Sequence, residues 1–178
     1  MLLGRNFKKF FCLVFIFLLV PNAWGNNTFF QNCKGSLSDT WNQGRIELIV
    51  PVNTWHNRSH YSKDRIKNYN EHPWGGGLAK TYIDEKDNRH RLLALSFQDS
   101  FNNPEPTFGY SWQAVWRAKD IFRPTLGIIG GFTMRKDYNW IPIPAAIPTL
   151  GLDIGLFSVE TTYVVGFDIL FTWVTFRF

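Results

Sequence analysis

Cysteine is nearly absent from the sequence. There are two, Cys12 and Cys33, and Cys12 falls inside an N-terminal leader. After export Cys33 stands alone, so no intramolecular disulfide can form and a disulfide-stapled secreted scaffold is excluded. Cys33 reads as an incidental buried thiol, and Cys12 lies too far from the expected cleavage site to carry a lipid. A membrane-spanning helix is also lacking. The apolar run Phe10–Val20 is shorter than the ~20 residues such a helix needs. Arg5, Lys8 and Lys9 precede it and Ala23-Trp24-Gly25 follow it, as in a signal peptide. Residues 1–25 are therefore expected to be removed, leaving 26–178 as a single domain of an exported protein. The four histidines show no zinc spacing. His56 and His60 would lie ~13 Å apart on an extended strand and cannot share an ion there. Gly75-Gly76-Gly77 is not followed by the Lys-Ser/Thr of a phosphate loop. It reads instead as close backbone packing or strand curvature.

Aromatic residues are abundant: 17% of the chain, with 17 Phe and 8 Trp. Such rings collect at membrane interfaces, at both ends of spanning strands. The net charge of +5 favours an anionic partner. For an exported protein that points to lipid rather than nucleic acid. Residues 28–43 read as an amphipathic helix, because Phe29, Cys33, Leu37 and Trp41 recur at four-residue steps on one side. Gly44 supplies its stop. Such a helix either covers a soluble core or lies in a membrane interface, and the segment alone leaves both open.

From Gly44 onward the pattern is that of strands, at 45–57, 75–84, 89–98, 107–117, 124–134, 142–152, 156–165 and 167–178. Most have the ~10-residue length of a bilayer-crossing β-strand, and eight is an even number. Alternation is clear in "TFGYSWQAVWR", where Phe108, Tyr110, Trp112, Ala114 and Trp116 share one face. That face is core in a soluble sandwich and lipid-facing in a membrane barrel. The last strand ends on Phe178, behind Phe176, Val174 and Leu170, as in the assembly signal of bacterial outer-membrane barrels. Its other face, Ile169, Phe171 and Trp173, is apolar too, whereas a porin lumen is polar. That implies a barrel holding a hydrocarbon. The expected fold is an all-β, eight-stranded antiparallel transmembrane β-barrel with an N-terminal amphipathic helix.

The connections divide into short ones, such as 85–89, 118–122 and 153–155, and long ones at 57–73 and 99–106. Barrels of this kind keep short turns on the periplasmic side and long loops outside. Counting strands from an inward start then puts His56, Asp99, Ser100 and Arg135 on one outer rim. A neutral His can take a hydroxyl proton at neutral pH. Ser can act as nucleophile or oxyanion donor, and Asp can orient and balance the imidazole. Neighbours on a regular strand face opposite ways, so Asp99 and Ser100 meet one centre only where the strand has broken. Asn102 and Pro104 make such a break plausible, and a polar loop rim is the plainer reading of the same residues. Pro142, Pro144 and Pro148 cannot donate to a ladder. They mark either a strand start or a lateral opening through which a lipid enters.

At this point the sequence resembles the lipid A palmitoyltransferase family, the PagP-type outer-membrane acyltransferases. The resemblance rests on "DTWNQ", "TWHNR", "YNEHPWGGG", "DEKDN", "FQDS", "NWIPIP" and the terminal "FRF", and covers nearly all of the mature chain. It implies transfer of a palmitoyl chain, or a similar one, from the sn-1 position of a phospholipid. The acceptor is the hydroxyl of the N-linked 3-hydroxyacyl chain of lipid A. No cofactor, metal or nucleotide is implied, and no nucleic acid; the protein would work as a monomer or homodimer in the outer-membrane bilayer. The family's essential His, Asp and Ser match His56, Asp99 and Ser100. Pro51 and Pro73 match prolines flanking one lateral gap, and Pro148 one side of another, where Val165 replaces the fourth. Ser111 stands where a relative has the Gly that floors its acyl pocket, which implies a shorter or less strict chain-length preference. The basic loop of Arg58, Lys63, Arg65 and Lys67 would attract lipid A phosphates. A non-enzymatic lipid-binding or structural barrel is the alternative, and a soluble lipocalin-like barrel a third.

Overall fold

The computed structural model describes residues 27–116 and 121–178, with side chains from Cys33 onward. The leader 1–25 and the centre of the 118–122 turn lie outside the described residues. Helix α1 covers Asn27–Gln43. The strands are β1 Arg45–His56, β2 Gly75–Ile83, β3 Asn88–Gln98, β4 Pro104–Val115, β5 Phe122–Met134, β6 Pro142–Ile154, β7 Phe157–Val164 and β8 Ile169–Arg177. They pair in chain order, all antiparallel, and β1 closes on β8 to make a barrel. A one-turn helix α2, Lys63–Ile66, lies in the β1–β2 loop with Ser62 as its N-cap. No described helix is long and apolar enough to cross a membrane.

The eight expected strands are present, with boundaries moved by up to three residues. β4 begins at Pro104 because Pro104, Glu105 and Pro106 pair with Gln98, Phe97 and Ser96. Proline lacks the ladder donor but fits extended backbone, so the loop is shorter than its composition implied. β8 begins at Ile169, after a turn in which Gly166 and Asp168 take positive φ of 91° and 52°.

The outside of the barrel is apolar. Phe108, Trp112, Leu126, Ile128, Phe132, Leu150 and Val159 are all exposed, an outward band that only a bilayer can cover. The soluble sandwich is thereby excluded. Helix α1 rests on the outer face of β2 and β3. Thr40 is buried against the barrel, while Leu37 and Trp41 point away. The apolar side of α1 thus faces the surroundings, so the helix is the interfacial kind. Cys33, expected to be buried, is exposed, because it shares that outward side.

Inside, the lumen has two halves. Toward the long loops it is lined by Ile49, Ala79, Leu93, Leu95, Phe97, Ile129, Phe171 and Trp173. Leu93, Ile129 and Ile147 point inward yet stay partly accessible, as in a lumen that is lined rather than filled. Toward the short turns it is polar, which the apolar face of β8 did not announce: the inward run Ile169, Phe171, Trp173 continues as Thr175 and Arg177. There Arg91 Nη1 donates to both carboxylate oxygens of Glu160 at 2.8 and 2.9 Å. Arg91 also pairs with Glu47, and Arg89 and Arg177 with Asp153. Gln113 Nε2 and Ser158 Oγ add hydrogen bonds to Glu160 at 2.8 and 2.9 Å. Charges taken from water must be paired and hydrogen-bonded; each charge here is paired, while Glu47 Oε2, Arg89 Nε and Arg91 Nη2 carry no hydrogen bond.

Two ladders stop short at the long-loop end. β1–β2 pairing runs only from Arg45↔Thr81 to Ile49↔Gly77, and β6–β7 pairing only from Ile154↔Phe157 to Thr149↔Thr162. Pro51 lies two residues past Ile49, Pro73 two residues before β2, and Pro148 immediately before Thr149. Val165, in place of a fourth proline, lies exposed in the β7–β8 turn. Gly75 and Gly77 run against β3: a Cβ on either would fall 2.3 Å from the Ser96 or Ala94 carbonyl oxygen. The glycine run is close backbone packing, as expected.

Candidate functional site at the long-loop rim

His56 faces the lumen because of a bulge. Glu47, Ile49 and Pro51 point inward, and on that period the next inward residues would be 53 and 55. The β1–β8 register shifts between Pro51↔Trp173 and Asn53↔Thr172. The additional residue reverses the alternation, so Thr54 and His56 turn inward and Trp55 outward. His56 is 1% exposed.

Asp99 and Ser100 reach the same place because β3 has ended. Asp99 Oδ1 accepts from the main-chain N–H of Phe101 and of Asn103, both at 2.8 Å. Asn102 closes the turn with φ of 62°. Within this turn Ser100 no longer obeys strand alternation, and its Oγ lies 2.9 Å from His56 Nε2. Its carbonyl accepts from Asn70 N at 2.8 Å, which ties the two long loops together. The Asp99 Oδ2 atom is buried without a hydrogen bond and faces Arg135 Nη2 at 3.6 Å. Arg135 is also 3.6 Å from Glu105 and 3.4 Å from Asp137. His56, Asp99, Ser100 and Arg135 therefore share one rim, as strand counting implied.

The partner of His56 Nδ1 is not Asp99 but Glu71. Its Oε1 lies 3.1 Å from Nδ1 and accepts from the His56 main-chain N–H at 3.1 Å. Arg58 grips the same carboxylate with two hydrogen bonds of 2.7 and 2.6 Å. These donors, Arg58 first and His56 after it, hold the Glu71 carboxyl down at about 2 against the opposing effect of burial. Tyr69 lies over the imidazole at 4.6 Å between ring centres, and Tyr61 meets it edge-on at 5.4 Å. Burial, with neighbouring Tyr69 and Asp168, pushes the Tyr61 phenol up, and its OH donates to the Phe167 carbonyl at 2.6 Å. Sequence reasoning assigned no role to Glu71, Tyr61 or Tyr69. They sit in an irregular loop with no period to betray them, although Glu71 and Tyr69 stand within the quoted "YNEHPWGGG".

A carboxylate at Nδ1 favours the tautomer protonated there, which leaves the Nε2 lone pair facing the Ser100 hydroxyl. That is a base poised on a hydroxyl, at the mouth of an apolar lumen. Ser111 lies lower, buried and facing inward as expected, its Oγ without a partner. No cluster of three metal-ligating side chains occurs among the described residues.

Residues 36–175 match the profile of a protein family described as "Antimicrobial peptide resistance and lipid A acylation protein PagP". A Laribacter hongkongensis protein named lipid A acyltransferase PagP is 39% identical over 153 residues, covering 84% of this chain and 74% of its own length. The lipid A acyltransferase PagP of Citrobacter koseri is 36% identical, covering 96% of this chain and 97% of its own. A lipid A palmitoyltransferase PagP of Escherichia coli is also 36% identical, covering 97% of this chain and 98% of its own.

Proposed function

Since the chain belongs to the PagP family of lipid A acylation proteins, we propose that it is an acyltransferase that adds an acyl chain to lipid A. The donor is the sn-1 ester of a glycerophospholipid, carrying palmitate or a chain of similar length. The acceptor is the hydroxyl of the N-linked 3-hydroxyacyl chain of lipid A. The enzyme sits in the outer membrane with the long-loop rim toward the outer surface, where lipid A resides. The added chain raises resistance to cationic antimicrobial peptides. The observation that carries this reading is the His56–Ser100 hydrogen bond of 2.9 Å, set at the mouth of the apolar lumen.

In this scheme the donor's hydrocarbon tail descends along Phe97, Leu95 and Ile129, so its ester carbonyl stops near the rim. His56 Nε2 takes the proton of the lipid A acceptor hydroxyl as its oxygen attacks the ester carbonyl, and returns that proton to the departing glycerol oxygen. One ester bond breaks and one forms, so no cofactor is consumed. Asp99 braces the turn that presents Ser100, and Arg135 offers a cation beside it for the head groups. The notches marked by Pro51 and Pro73 and by Pro148 are the lateral routes for the lipids. The basic residues Lys63, Arg65 and Lys67 assist by attracting lipid A phosphates.

The test compares lipid A by mass spectrometry from cells with the gene, without it, and with His56→Ala. One additional acyl chain is expected with the wild type only. No mass difference among the three would mean a lipid-binding or structural barrel instead.

A further inference from the structure

Four donors converge on a single carboxylate, that of Glu71, on the side of His56 remote from Ser100. Two come from His56 itself, its main-chain N–H and Nδ1, each at 3.1 Å. Two come from Arg58, at 2.7 and 2.6 Å. Arg58 is fixed in turn, its guanidinium lying 5.8 Å from the centre of the Trp55 ring. The main chain of Glu71 is held independently of its carboxylate. Its carbonyl accepts from Thr54 N at 2.9 Å and Asn53 Nδ2 at 3.1 Å, on the stretch of β1 that β2 leaves unpaired. Glu71 is thus seated by backbone on the strand that carries His56, and its side chain addresses the imidazole.

We infer that Glu71 is the positioning residue of the His56 base and that Arg58 sets how much of its charge the imidazole feels. The inference rests on the acyl-transfer reading above. Glu71 fixes the Nδ1–H tautomer and the ring plane, so the Nε2 lone pair is aimed at the reacting hydroxyl. When His56 takes the proton, the imidazolium is balanced by a carboxylate already shared with Arg58. The other groups around the ring are Tyr61 and Tyr69 from the same loop and Ser100 from the β3–β4 loop. The charges beyond them are Asp99 with Arg135, and Asp168 paired with His60.

The two side chains then act in opposite directions, and this distinguishes positioning from simple support. Glu71→Gln removes the balancing charge. The acid limb of kcat/KM against pH is expected to move to lower pH, and kcat to fall by about 100-fold, at the low end of what a placed base supplies. Arg58→Ala leaves the carboxylate to His56 alone, and the acid limb is expected to move to higher pH. KM for phospholipid should stay within about twofold in both, since neither side chain lines the lumen. The ¹⁵N shifts of the His56 ring should report the Nδ1–H form in the wild type and its loss in Glu71→Gln. Heat-modified migration on gels checks that each barrel has folded. If Glu71→Gln does not fold, the Arg58→Ala limb and the wild-type ring shifts decide the matter.

Wild-type enzyme that moves no acyl chain would sink the acyl-transfer reading itself. Active wild type, with both limbs unmoved or moving together and an Nε2–H tautomer at His56, would overturn the role of Glu71 while leaving that reading intact.

Discussion

Replacing Ser111 by glycine should lengthen the acyl chain that is transferred. Ser111 lies opposite Arg91 on β3 and Ile129 on β5. One inward step nearer the rim stand Leu93, Gly109 and Gly131, which pair in a row. One inward step deeper is Gln113, held by Glu160 and Thr149. Ser111 therefore marks where the apolar wall gives way to the ion-paired base, and a hydrocarbon can descend no farther than its side chain. Removing Cβ and Oγ makes room for about two methylenes, each worth about 0.8 kcal/mol when buried. Preference for a chain two carbons longer should then rise by about 1.6 kcal/mol, or about 15-fold. The barrel itself should be little affected. Losing a buried hydroxyl without a partner gains about 1 kcal/mol, and glycine in a strand costs about 0.5–1 kcal/mol. Mass spectra of lipid A from cells carrying wild type, Ser111→Ala and Ser111→Gly provide the assay. Wild type should transfer shorter or mixed chains, Ala should resemble it because Cβ remains, and Gly should move toward longer chains. Palmitate alone from both wild type and Ser111→Gly would refute the reasoning.

Glu160→Ala should destabilise the barrel by about 3–5 kcal/mol, because Arg91 is left buried with a lost partner; a loss under about 1 kcal/mol in urea unfolding would show that water already solvates the base. Deleting Val52 should straighten β1 and still leave His56 inward, because Asn53 to His56 keep their partners on β8. A folded barrel that retains transfer is expected, and transfer at the His56→Ala level would show that the bulge does more than restore the alternation. The Glu71 carboxylate, held at about 2 against an ordinary 4.5, anchors the β1–β2 loop fully above the ordinary value. That anchoring should be lost as pH falls from about 4.5 toward about 2, seen as shifts of the loop amides 57–71 in NMR spectra. Loop spectra unchanged down to pH 2 would count against the anchor.

Much of this was legible in the chain because a barrel strand writes its two environments in alternate letters. Phe108, Trp112 and Trp116 face outward and Ser111 inward, as "TFGYSWQAVWR" implied. The rim that gathers His56, Asp99, Ser100 and Arg135 followed from strand parity alone, since an antiparallel meander returns every second strand end to the same side. Three things were not legible. The bulge after Pro51 leaves no compositional mark, so the inward turn of His56 could not be counted from the strand's start. The polar base draws on Glu47, Arg89, Arg91, Asp153 and Glu160, which come from four separate strands and become partners only on closure. Glu71 lies in a loop, where no period separates a residue that touches the imidazole from one that touches water.

The two halves of the lumen explain how a membrane barrel tolerates open ladders. An unpaired N–H or C=O in lipid costs several kcal/mol, and β1 beyond Ile49 and β6 before Thr149 both lack a neighbour on one side. Proline reduces that cost by removing the donor: Pro51 does so on β1, and Pro142, Pro144 and Pro148 on β6. Part of the remainder is satisfied locally. Thr54 N donates to the Glu71 carbonyl at 2.9 Å, and Thr162 Oγ1 to the Pro148 carbonyl at 2.6 Å. The short-turn end keeps its ladders and adds the buried ion pairs, so closure is secured there and the rim is released from that task. On the proposed function this division of labour is what lets lipids reach His56 from the side. It also places the first notch beside Glu71, whose carbonyl caps the exposed strand and whose carboxylate holds the base.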